Sequence, residues 1–108
     1  MIEQLRIYEI FEPTRAAFLV RFRDHAMRIM ARHGFHILAI WESRSEVGLE
    51  FSYLLEWLDE ASLRAAWEAF RQDEEWARIK RETPEDQGPM VGMIEDRVLI
   101  PVAYSPHL

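Results

Sequence analysis

The chain has 108 residues, 49% of them hydrophobic and 30% charged, with a formal net charge of −6 and no cysteine. That profile fits one globular domain spanning residues 1–108, and excludes low-complexity and disordered classes. The lack of cysteine excludes disulfide frameworks, thiolate nucleophiles and iron–sulfur clusters, and the acidic balance argues against a nucleic-acid partner, whose phosphates call for a basic surface.

Met1 to Ile10 enters an alternating strand pattern without the basic and apolar regions of a secretory leader. A cytoplasmic protein is expected, and no membrane partner, since no stretch nears the roughly 20 apolar residues that span a bilayer. The first strand runs Gln4 to Ile10 (QLRIYEI). Glu12-Pro13-Thr14 then starts a helix, because proline in a first turn forfeits no helical hydrogen bond. The helix continues to about Arg32, with Phe18, Leu19, Phe22, Ala26, Ile29 and Met30 on the stripe that packs against a sheet. Gly34 stops it, and a second strand follows over Phe35 to Glu42.

Ser43 to Gly48 (SRSEVG) is a short polar loop ending in glycine, so the second strand and the third, Phe51 to Leu58, form an antiparallel hairpin. Asp59 caps a helix carrying Leu63, Ala66, Trp67 and Phe70 on one face, and Asp73 caps a continuation carrying Trp76 and Ile79. Thr83 to Pro89 is a turn-rich connection in which Glu85 and Asp86 belong to a solvated loop. A last strand over Val91 to Pro101 and an irregular tail to His107 and Leu108 end the chain.

The order strand, helix, strand, strand, helix, strand is the split βαβ, ferredoxin-like arrangement, an α+β fold with an antiparallel sheet. Both helices of that arrangement cover the same face. The strands are apolar on both faces, and a large bare apolar face marks a partner surface. A second copy stacked face to face, giving a dimeric α/β barrel, is the expected partner.

Several local patterns coincide with one family. Leu5-Arg6-Ile7-Tyr8, His33-Gly34, Trp41, Tyr53-Leu54-Leu55-Glu56-Trp57, Trp67 with Phe70, Asp73 with Trp76, and Pro101 followed by Ser105-Pro106 together resemble the NIPSNAP family across nearly the whole chain. Thr14 and Glu74 depart from the pattern at positions without a chemical role. The resemblance implies a homodimer of ferredoxin-like subunits. Related dimeric α/β barrels include cofactor-free monooxygenases, isomerases and dehydrochlorinases acting on aromatic or polyketide compounds, and also haem enzymes.

Candidate chemistry is carried by few groups. Arg6 and Tyr8 share a face of the first strand with Gln4, and Arg6 is either a ligand clamp or half of a buried ion pair with Glu95 at the dimer face. Arg97 competes for the same carboxylates, Glu56 included. His25 is expected to face the sheet from the first helix, as a proton carrier or as a neutral core histidine. His33, at the helix end, is expected to cap it. The pocket, where any chemistry is expected, should lie between sheet and helices near His25, with Trp67 and Tyr53 or Trp41 in its wall; Trp76 is a further substrate-binding candidate. The catalytic candidates are thus His25, Tyr53, Arg6 and Tyr8.

No HExxH arrangement, phosphate loop or nucleophile elbow is present, and Asp73-Glu74-Glu75 fits a helix N-terminus rather than a metal site. Neither metal nor cofactor is expected. Two functions remain: a homodimer binding or transforming a small hydrophobic or aromatic molecule, and a non-catalytic, stress-associated interaction module. Haem ligated by His25 is the third.

Overall fold

The protein is described here by a computed structural model covering residues 1–83 and 88–106. Pro84 to Gln87, which include the expected loop acids Glu85 and Asp86, and the tail residues His107 and Leu108 lie outside the described residues. Strands β1 (Ile2–Ile10), β2 (His36–Ser45), β3 (Gly48–Trp57) and β4 (Val91–Leu99) form one sheet in the order β2-β3-β1-β4, every neighbouring pair antiparallel. With the helices described next, this is the expected α+β, ferredoxin-like arrangement. No helix among the described residues is long and apolar enough to cross a membrane.

The helix starts follow their side chains. Pro13 lies in a single 3-10 turn, Glu12–Thr14, that leads into α1 (Arg15–Arg21). Asp59 accepts from the Ser62 amide at 2.8 Å at the head of α3 (Glu60–Arg71), and Asp73 accepts from the Trp76 amide at 3.0 Å at the head of α4 (Glu74–Glu82). Gly34 ends α2 (Met27–Arg32) at φ 89°, a left-handed value that glycine adopts without a steric penalty.

The first helix is not continuous. Between α1 and α2, Phe22–Ala26 form a π turn in which the Met27 amide donates to the Phe22 carbonyl, five residues back. A wider turn brings residues four apart into line, so Phe18, Phe22 and Ala26 all point inward, joined by Ile29 and Met30. His25, expected on that stripe, is rotated out of it.

Burial in β3 alternates without a break: Leu49, Phe51, Tyr53, Leu55 and Trp57 are buried, while the residues between them are half-buried. The buried set meets the helices, as the edge-on packing of Phe51 against Phe18 and Phe22 shows, with ring centroids 4.9 and 4.7 Å apart. Residues paired across strands share a face. Arg6 pairs with Tyr53 and Tyr8 with Phe51, so both lie beneath the helices and not, as expected, on the opposite face. That opposite face carries Leu5, Ile7 and Leu54 at its centre and Met93 and Trp41 toward its edges, interspersed with glutamates.

Trp41 reaches that face through a bulge. Ile37 pairs with Leu55 on the helix side, the register slips at Leu38, and Ala39 and Trp41 therefore pair with Leu54 and Ser52 on the other. Trp41 is 49% exposed and does not belong to the pocket wall expected from sequence.

Candidate functional site

β1 presents Gln4, Arg6 and Tyr8 in succession to the space beneath the helices, and each is held differently. Gln4 is fully buried. Its side-chain oxygen accepts from Trp57 Nε1 at 3.0 Å and Trp67 Nε1 at 2.8 Å, and its Nε2 donates to Asp96 Oδ1 at 2.7 Å. Every polar atom of that amide is used, as a buried amide requires.

Arg6 donates from Nη1 to Asp96 Oδ2 at 3.2 Å and from Nη2 to Tyr8 Oη at 3.3 Å, while its guanidinium lies over the Trp67 ring, 4.3 Å from the centroid. Its carboxylate is therefore Asp96 and not the expected Glu95, which pairs with Arg97 at 2.6 Å on the other face. The register decides this, since Asp96 stands opposite Arg6 and Glu95 opposite Ile7. Burial opposes the Arg6 charge, but Tyr8 and Tyr53 outweigh it and hold its pKa above the ordinary value. The Nε–H is buried and meets no acceptor among the described residues.

Tyr8 Oη and Tyr53 Oη are 2.6 Å apart. Tyr53 is 0% exposed, and burial, followed by Tyr8, pushes its phenol well above its ordinary value against the opposing pull of Arg6. It stays protonated at neutral pH. When Tyr53 is the donor of the pair, Tyr8 oxygen accepts from both Tyr53 and Arg6 and its own proton is left for a third group.

That third group would sit in a cavity of about 500 Å³ between sheet and helices. Arg6 and Tyr8 lie in its wall, with Phe18, Phe22, Ala26 and Met30 on the side of the first helix, and Trp67, Phe70 and Trp76 on that of α3 and α4. The π turn thus supplies two wall residues, Phe22 and Ala26. Of the sequence candidates, Arg6, Tyr8, Trp67 and Trp76 meet here, and Tyr53 sits behind Tyr8.

His25 is elsewhere. It lies in a separate groove between the first helix and α4, beside Arg21, Arg78 and Glu82, with its Nδ1 3.1 Å from Arg28 Nη2. The expectation that it faces the sheet is overturned by the π turn. His33 does more than cap its helix: its Nε2 meets Asp73 Oδ2 at 2.7 Å, tying the end of α2 to the head of α4. Arg32 joins Asp73 at 2.7 Å and Glu75 at 3.0 Å, and Arg28 joins Glu75 at 2.8 Å, so these acids hold helices together. Gln4 is the site residue whose role sequence concealed; its signal was a short amide on a strand face shared with Arg6.

A family model described as NIPSNAP matches residues 2–106. An uncharacterised NIPSNAP domain protein from Burkholderia xenovorans superposes with a TM-score of 0.80 at 20% identity, covering 98% of this chain and 99% of that one. More distantly, a crystal structure named as an antibiotic biosynthesis monooxygenase gives a TM-score of 0.59 at 15% identity, covering 94% of this chain and 99% of its own. A MhuD variant with two manganese protoporphyrin IX bound per active site gives 0.57 at 10% identity, with coverage of 94% and 95%. A comparison with curated proteins gave no match.

Proposed function

Because this chain belongs to the NIPSNAP family, we propose that it acts as a homodimer whose subunits each bind or transform a small hydrophobic or aromatic molecule in the cavity between sheet and helices. The cavity carries this proposal: its walls are mostly aromatic and aliphatic, and a few convergent polar groups, Arg6 and Tyr8 backed by Tyr53, would fix a ligand's orientation. The chemistry these groups can offer is that of a protonated phenol beside a fixed cation. A negatively charged oxygen on the bound molecule would be met by the Tyr8 proton and the Arg6 guanidinium. Tyr53 would keep that phenol oriented.

Haem does not fit this wall. No histidine among the described residues lies in it, and His25, the imidazole expected to ligate iron, opens into another groove.

The second copy is supported by shape. The radius of gyration is 14.9 Å, against about 13 Å for a compact chain of this length, and the extents are 48 × 36 × 19 Å. Such a slab leaves one sheet face bare, with Met93 76% exposed on it, and the apolar residues Ile100 and Val102 that follow β4 are exposed as well. A face with Leu5, Ile7 and Leu54 at its centre and charges around them suits a self-complementary interface, in which the same apolar patch is buried on both copies.

Native mass spectrometry of protein purified without ligand stripping tests both parts. A dimer mass with a retained small organic adduct, displaced in Ala26→Trp, is expected. A monomer sinks the assembly, and a dimer whose adducts ignore Ala26→Trp sinks the ligand site.

A further inference from the structure

Among the described residues the cavity's charged groups are all of one sign: Arg6, Arg21, Arg71 and Lys80 lie in its wall and no described aspartate or glutamate does, in a chain with 19 acidic residues against 13 lysines and arginines. Like charges gathered around one apolar space repel one another, and an anion placed among them relieves that repulsion.

Elsewhere the partners are carboxylates: Glu42 for Arg15, Glu75 for Arg28, and Asp73 and Glu75 for Arg32. At the cavity Arg71 and Lys80 lie against aromatic faces instead. Arg6 and Arg71 stand over Trp67, at 4.3 and 5.7 Å, and Arg21 and Lys80 over Trp76, at 5.5 and 5.9 Å. An indole face attracts a cation without neutralising it. Among the described residues Arg71 and Lys80 have no carboxylate partner, and Asp96 meets Arg6 without being part of the cavity wall.

We propose that this site takes an amphipathic anion, a small aromatic or alkyl body bearing one carboxylate, with the body among Phe18, Phe22, Met30 and Phe70 and the carboxylate among the cations. The proposal rests on the cavity being a ligand site, and adds the charge of what enters it. The cations would also draw such a molecule toward the opening past an otherwise acidic surface.

The test uses the full chain and two probes of nearly equal shape, naphthalene-2-carboxylate and naphthalene-2-carboxamide, titrated by tryptophan fluorescence and calorimetry. The carboxylate should bind about tenfold more tightly, and raised salt should narrow the gap. Arg71→Gln with Lys80→Gln, two exposed positions, should bring the ratio toward one. Equal affinities in the parent chain, or a ratio indifferent to the double substitution, overturn the anion while leaving the ligand site standing. If neither probe binds up to millimolar concentration, the ligand site itself falls and the anion with it.

Discussion

The side-chain oxygen of Gln4 accepts from Trp67 Nε1 at 2.8 Å, and through the same atom, which also holds Trp57, one buried amide joins β1, β3 and α3. Gln4→Leu fills the space but strands two buried indole N–H donors. Each buried donor left unmade costs about 1–3 kcal/mol, so a loss of about 2–4 kcal/mol is expected in urea unfolding. A loss below about 0.5 kcal/mol would mean that the indoles find other acceptors, and the joint is not what holds α3.

Tyr53→Phe removes the hydroxyl that Tyr8 contacts, and about 1 kcal/mol should go with it at neutral pH. Its pH signature is more specific. The native phenol titrates above the unfolded value of about 10, so its contribution is complete below that pH and is lost as pH climbs through the native value. The parent chain should therefore lose stability between neutral and strongly alkaline pH faster than Tyr53→Phe does. Parallel slopes in urea midpoints would count against a buried neutral phenol.

Asp73 works in the acid range. Burial would raise its pKa, but His33, Arg32 and the Trp76 amide outweigh that and hold it well below the usual carboxylate range, while Arg28 and Arg32 bring Glu75 down to about 2. Both contributions are complete above the unfolded carboxylate values near 4 and fade as pH falls toward 2. Asp73→Asn keeps the cap and loses the ion pairs, so it should flatten that acid loss. Asp73→Ala should cost about 1 kcal/mol more at neutral pH, the worth of the cap. Identical unfolding curves for the two variants would show that the cap contributes nothing.

Ile7→Lys sets a charge in the middle of the bare sheet face, away from the helix-side core. Light scattering should then report a monomer, with circular dichroism unchanged. A variant that remains dimeric at micromolar concentration would place the interface elsewhere.

The strands, the hairpin and both aspartate caps were legible because each is written locally, in alternation or in a capping residue a few positions from its amide. Sidedness was not. Alternation divides β1 into two sets but does not say which set meets the helices, and Gln4, Arg6 and Tyr8 look like an outward face until Arg6 is seen opposite Tyr53. Single-residue register shifts account for the other errors. The bulge at Leu38 turned Trp41 away, the π turn displaced His25, and one step along β4 separates Asp96 from Glu95. Trp67 and Trp76 lie in the cavity wall, on helices whose spacing fixes a residue's side relative to its near neighbours.

The π turn amounts to one residue more than a regular helix would spend over the same span. Deleting a residue within 22–26 would let the hydrogen bonding revert to the ordinary pattern, but each residue of an α-helix turns the chain by about 100°. One flank would have to swing by that amount: either α1 would draw Phe18 off Phe51, or α2 would draw Ile29 and Met30 out of the core. A shorter helix here would thus be locally easier to form and globally unable to seat. The surplus residue works as a phase corrector, keeping both halves of one long helix aimed at the same sheet.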